Sequence, residues 1–153
     1  MRRFLLSISL MLCGITAFAS GTGESFFPTA KGRRAEYAVT MDFGRAHLTG
    51  ICVMKCIDGT IVGTLMNEFG IRAFDFRCDG SYGGTELSNL TGPLDRWYIR
   101  RTLRRDLRLL LQHADNGTPQ RIRGRRIELR GDGSLSLTHI RRGLTLVFTP
   151  LNE

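Results

Sequence analysis

The sequence has no apolar run long enough to cross a bilayer comfortably as a helix, which takes about 20 residues. Its longest, Phe4 to Phe18, is shorter and is interrupted by Ser7, Ser9, Gly14 and Thr16. There is no internal repeat and no low-complexity tract, so a solenoid and a biased disordered tail are both excluded. No serine stands in a Gly-x-Ser-x-Gly frame, so a nucleophile elbow is missing. Gly131-Asp132-Gly133 reads as a turn and lacks the Lys-Ser/Thr of a phosphate loop. The three histidines, His47, His113 and His139, are scattered without metal-ligand spacing. Asp75 and Asp79 are a possible carboxylate pair, but nothing else marks them as acid and base. These absences argue against an enzyme and against a bound metal or other cofactor.

What is present begins with an export signal. Arg2 and Arg3 form a basic start, Phe4 to Phe18 the apolar segment, and Ala17-Phe18-Ala19 the small residues a signal peptidase reads. Cleavage after Ala19 is the favoured outcome. The alternative is lipidation at Cys13, where Leu10 and Gly14 suit a lipoprotein signal and Leu12 does not. The expected organisation is a signal peptide at 1–19, a flexible arm at 20–35 whose only apolar cluster is Phe26-Phe27-Pro28, and a single domain at 36–153. The expected location is the periplasm, or a membrane surface if Cys13 carries acyl chains.

The formal charge is +8, and removing a leader with two arginines and no acid lowers it by two. A basic exported protein meets anionic headgroups or an acidic partner; export makes nucleic acid an unexpected partner. Cleavage after Ala19 leaves Cys52, Cys56 and Cys78. Cys52 and Cys56 lie four residues apart on one strand face, about 13 Å at roughly 3.3 Å per residue, too far for a disulfide. If Asp58-Gly59 is a two-residue hairpin turn, Cys56 faces Ile61. A four-residue turn from Glu68 to Ile71 then sets Ile61 opposite Cys78. Cys56 and Cys78 would flank Ile61 two strands apart, so all three cysteines are expected as small apolar core residues.

Period-two alternation and turn signals predict strands at Glu36–Phe43, Ala46–Ile57, Thr60–Asn67, Ile71–Cys78, Arg126–Arg130, Ser134–Arg141 and Leu144–Thr149. Between the two groups, Leu94 to His113 has helical spacing in Ile99, Leu103, Leu107, Leu110 and Leu111, with Pro93 in the first turn and Thr91 as cap. The fold class is α+β: a curved antiparallel meander of about seven strands packed on one amphipathic helix.

The helix carries Arg96, Arg100, Arg101, Arg104, Arg105 and Arg108, with Asp106 the one acid in its interior. Arg100, Arg101, Arg104, Arg105 and Arg108 are the candidate contacts for an anionic surface. The competing reading is a solvated face on a helix that packs by its leucines. A second basic cluster, Arg121, Arg123, Arg125 and Arg126, strengthens the functional reading if it lies beside the helix.

The segments Leu48-Thr49-Gly50-Ile51-Cys52-Val53-Met54-Lys55, Asp58 to Leu65, Met66-Asn67-Glu68-Phe69-Gly70 and Phe74-Asp75-Phe76 resemble small Bacteroidota-type envelope lipoproteins of unknown role, as does the Trp97 to Leu111 helix. The layout is more distantly similar to Lol-type lipoprotein carriers and receptors, in which a curved sheet closes over a helix around acyl chains. That resemblance implies lipid or lipoprotein handling and supplies no site residue. Two readings follow: an acyl chain held under the sheet, which needs a large apolar cavity, or docking on an anionic membrane or acidic partner through the arginines, which needs only a filled core.

Overall fold

A computed structural model describes residues 25–44, 46–80 and 84–151. The expected signal peptide and Cys13 lie outside the described residues. Nine strands form one open antiparallel sheet: β1 (Arg34–Phe43), β2 (His47–Ile57), β3 (Thr60–Asn67), β4 (Arg72–Cys78), β5 (Thr85–Ser88), β6 (Gln120–Ile122), β7 (Arg125–Leu129), β8 (Leu135–His139) and β9 (Leu144–Pro150). Their order is β5-β4-β3-β2-β1-β9-β8-β7-β6. Two meanders therefore meet where the first strand pairs the last, in the register Val39 to Phe148 and Met41 to Leu146. One α-helix among the described residues, α1 (Trp97–His113), connects them.

Two of the nine strands were not expected, so the sequence-based count of about seven is corrected upward. Strand β5 has only four residues, with Thr85 and Leu87 turned inward. Strand β6 has three and is joined to β7 by Arg123-Gly124, both at positive φ (49° and 77°). That is a type I′ hairpin without the Asn or Asp that usually signals one. The Asp58-Gly59 turn has the same geometry, φ 48° and 80°, and carries the usual residues.

That turn fixes the register of β2 on β3, whereas between β3 and β4 a tighter turn than the expected Glu68–Ile71, with Asn67 N–H donating to the Ile71 carbonyl, is offset by a register shift at Leu65/Met66. Cys56 pairs with Ile61 and Ile61 with Cys78. Cys52, Cys56 and Cys78 are buried and free. Burial pushes the Cys52 thiol well above its usual range and raises Cys78 as well. Asn67 shapes the β3–β4 turn, its side-chain oxygen accepting the N–H groups of Phe69 and Ile71 at 3.0 and 2.8 Å.

The helix starts later than Pro93 implies. Gly92–Leu94 forms a separate 3-10 turn, and α1 begins at Trp97 after Arg96. Thr91 does not cap; its hydroxyl donates to the carbonyls of Arg72 and Ala73 at 3.0 and 3.3 Å. The leucine stripe packs on the sheet as the spacing implies: Leu103, Leu107, Leu110 and Leu111 are buried, joined by Leu109 and Asp106. They share one contiguous core with Tyr37, Met41, Met54, Leu65, Phe74, Phe76, Ile127, Leu137, Leu146 and Phe148.

Ser25 to Arg33, read from sequence as part of an arm ahead of the domain, packs onto it. Phe27 is buried and stands edge-on to Phe148. Tyr37 donates its hydroxyl to the Phe26 carbonyl at 2.7 Å. The Ser25 hydroxyl and the Phe26 N–H both donate to Asp115 at 2.7 Å, tying this segment to the end of α1. Among the described residues no helix is long and apolar enough to cross a membrane.

The thiols give a direct check of this packing. In a chain starting at Ser20, which lacks Cys13, iodoacetamide should label none of the three cysteines while an unfolded control is fully labelled. The intact mass should equal that of the reduced chain. Fast labelling of the native protein, or a mass showing a disulfide, would contradict the register.

Candidate functional site: an arginine groove over a buried ion pair

Asp106 sits three residues from Leu103 and four from Leu110, and so falls on the apolar stripe of α1. It is fully buried, at 0 % exposure. Its carboxylate Oδ1 accepts a hydrogen bond from Nε of Arg125 on β7, itself almost completely buried. His139 of β8 is the cross-strand partner of Arg125; its Nε2 lies 3.4 Å from the same oxygen without making a hydrogen bond. Removal from water raises the Asp106 carboxyl above its ordinary range, with the Arg125 hydrogen bond and charge and the His139 imidazole opposing the shift. Burial lowers His139 below its ordinary value, partly offset by Asp106.

Arg125 does a second thing. Its Nη1 donates to the carbonyl of Arg123 at 3.2 Å, bracing the β6–β7 turn in its positive-φ form. A non-glycine residue there is strained by about 1–2 kcal/mol. The turn thereby holds Arg123 beside α1. Alternation along β6 and β7 pairs Arg121 with Arg126 away from the Arg125 face; Arg126 instead pairs with Glu128 at 2.7 Å. Of the second basic cluster, therefore, Arg123 and Arg125 reach the helix.

The result is a cleft of about 560 Å³ lined by Trp97, Tyr98, Arg101, Thr102, Arg105, Arg123, Gly124, Arg125, His139, Arg141 and Arg142. Arg141 and Arg142 come from the β8–β9 loop. A second, larger cleft of about 920 Å³ shares Arg101, Arg105 and Arg123 and adds Arg104, Arg108, Gln112 and His113. Both edge strands border it, β5 through Thr85 and Glu86 and β6 through Ile122, so the two form one groove along the exposed side of α1. Among the described residues Glu86 is the only acid on its lining. Arg101, Arg104, Arg105, Arg108, Arg123, Arg141 and Arg142 have no carboxylate within ion-pair distance among the described residues. At its mouth Trp97 is 75 % and Tyr98 47 % exposed, their rings edge to face at 6.0 Å.

Of the sequence candidates, Arg101, Arg104, Arg105 and Arg108 thus share one groove. Arg100 does not line it; it pairs with Asp95 at 3.0 Å. The sequence points to Arg123 and Arg125 as companions on the condition that they lie beside the helix, which they do. It does not point to Arg141 and Arg142, nor to the buried Asp106 as the partner of Arg125, although the position of Asp106 on the leucine stripe is a readable signal. Asp75 is held by Thr64 (2.7 Å), Asn89 (2.6 Å) and Arg72 (3.3 Å), and Asp79 accepts the Gly84 N–H. Both have structural roles. Among the described residues no three His, Cys, Asp or Glu side chains gather as metal ligands. No family model, no curated protein and no solved structure matches the chain.

Asp106→Ala leaves the Arg125 charge buried and unpaired and should cost about 3–5 kcal/mol in chemical denaturation. Asp106→Leu combined with Arg125→Met should recover most of that loss, because an apolar pair of similar volume avoids desolvating either charge. A mild effect of Asp106→Ala alone would show that the pair is not buried as described.

Proposed function

We propose that this protein is a non-enzymatic envelope component that docks on anionic lipid headgroups through the arginine groove beside α1. The observation that carries this reading is the gathering, from one helix and two hairpin loops, of seven arginines that have no acid partner among the described residues. Like charges held this close repel and lower stability. Several elements converge to create that repulsion, and an anionic ligand relieves it and stabilises the fold on binding. A merely solvated helix face would need arginines from the helix alone. Arginine also suits the role: the basic residues of the chain include only two lysines, Lys31 and Lys55, and the guanidinium fork matches phosphate oxygens two at a time.

A membrane is favoured over an acidic protein by Trp97 and Tyr98. Amphipathic aromatics beside arginines are the side chains that settle at the headgroup level of a bilayer. The expected export signal and the resemblance to envelope lipoproteins point to the same setting. The reading with an acyl chain under the sheet has less support. The helix leucines share one contiguous buried core with the inward side chains of the sheet, and the clefts described above open at the surface.

Vesicle flotation tests the proposal. The chain from Ser20 should float with vesicles containing phosphatidylglycerol and not with pure phosphatidylcholine, and salt should release it. At about 1 kcal/mol per surface arginine, replacing Arg101, Arg105 and Arg108 by Gln should weaken partitioning roughly a hundredfold. Equal binding to neutral vesicles, or unchanged binding by the triple variant, would overturn it.

A further inference from the structure

We propose that the groove also takes up a single anionic amphiphile, with its phosphate among Arg101, Arg105 and Arg123 and its alkyl chain in an apolar trough beside Phe43, Ile99 and Leu144. This inference rests on the docking reading and names the ligand class of the same site.

The trough has a volume of about 270 Å³ and is lined by Phe43, Tyr98, Ile99, Thr102, Arg142 and Leu144. Three of these residues, Tyr98, Thr102 and Arg142, also line the arginine cleft. The two spaces therefore adjoin on one side of α1, with these three side chains as their common wall. The trough side is apolar: Phe43 and Ile99 are half-buried against the core and Leu144 is buried. The cleft side is cationic, and no acid is among the described residues that line it. A ligand that uses both needs a compact anion joined directly to a hydrocarbon chain. Free phosphate fills only the arginine cleft, and a neutral lipid fills only the trough and leaves the charges of the cleft unmatched. Tyr98 at the junction offers a ring to the chain and a hydroxyl to the headgroup.

Arg123 marks the headgroup end as a built feature. Its backbone is held at φ 49° in the β6–β7 turn, braced by the Arg125 guanidinium on its carbonyl. Glycine would sit there without strain. An arginine held in an unfavourable conformation at the rim of a cationic cleft fits a role in binding.

Calorimetric titration of the chain from Ser20 with alkyl phosphates of increasing length, each below its critical micelle concentration, tests the assignment. Inorganic phosphate and an alkyl glucoside serve as comparators. Binding should be one to one, with affinity rising roughly two- to fourfold per methylene until the trough is full. Both comparators should bind more weakly. Arg123→Gly should weaken every alkyl phosphate while raising the melting temperature, which separates lost recognition from lost folding. Phe43→Gln should flatten the chain-length dependence and leave the shortest alkyl phosphate unaffected. A flat chain-length series, with vesicle binding still sensitive to the three helix arginines, overturns the trough and leaves surface docking intact. Equal affinity for the alkyl glucoside overturns the phosphate assignment. Vesicle binding that ignores the arginines removes the reading on which this one rests.

Discussion

The ion pair between Asp106 and Arg125 is the interaction on which the arrangement of the basic surface depends. Desolvating both partners is expensive, and a hydrophobic pair of the same volume could serve the core as well or better. What the charged pair supplies is position. It links the middle of α1 to β7, and through the second hydrogen bond of Arg125 it reaches the Arg123 carbonyl. The helix arginines and the hairpin arginines are thereby set on the two sides of one groove. The β7–β8 ladder and the buried Ile127 hold β7 in the sheet; the Asp106 link is what ties the three-residue edge strand and its turn to α1.

The sheet topology has a related consequence. The first strand pairs the last, so the two meanders share a continuous ladder, and the edge strands β5 and β6 border the same cleft on the exposed side of α1. One face of α1 completes the core while the other is left for the groove. The rigid part of the molecule lies directly beneath its basic surface. This suits a surface whose charges must be held near one another in spite of their repulsion. The helix leucines that would have to withdraw to admit an acyl chain are the same ones that seat α1, and so its arginines, on the core.

Much of this was legible in the sequence where local chemistry decides the outcome. Asp58-Gly59 dictates a type I′ turn, which sets Cys56 opposite Ile61; Ile61 also meets Cys78 as expected, but through a tighter β3–β4 turn compensated by a register shift at Leu65/Met66 that local sequence does not signal. The leucine spacing likewise gives the buried face of α1. Legibility failed where tertiary contacts decide. Strands β5 and β6 are too short to show periodicity, and Arg123-Gly124 turns the chain without the usual residues because Arg125 braces it. The helix start is displaced because the Thr91 hydroxyl is engaged by Arg72 and Ala73. At the site, the helix arginines were visible as a face. Arg141 and Arg142 join them only through the pairing of β8 with β9, and Asp106 looked like one acid among surface arginines until its place on the stripe was considered.

The chain has a single tryptophan, and it stands at the mouth of the groove. Its fluorescence therefore reads the central claim directly. On addition of phosphatidylglycerol vesicles the account predicts a blue shift of Trp97 emission and loss of its quenching by iodide, both reversed by salt and absent with phosphatidylcholine. Vesicle binding that leaves Trp97 emission and quenching unchanged would contradict the account, because the contact surface would then lie elsewhere on the molecule.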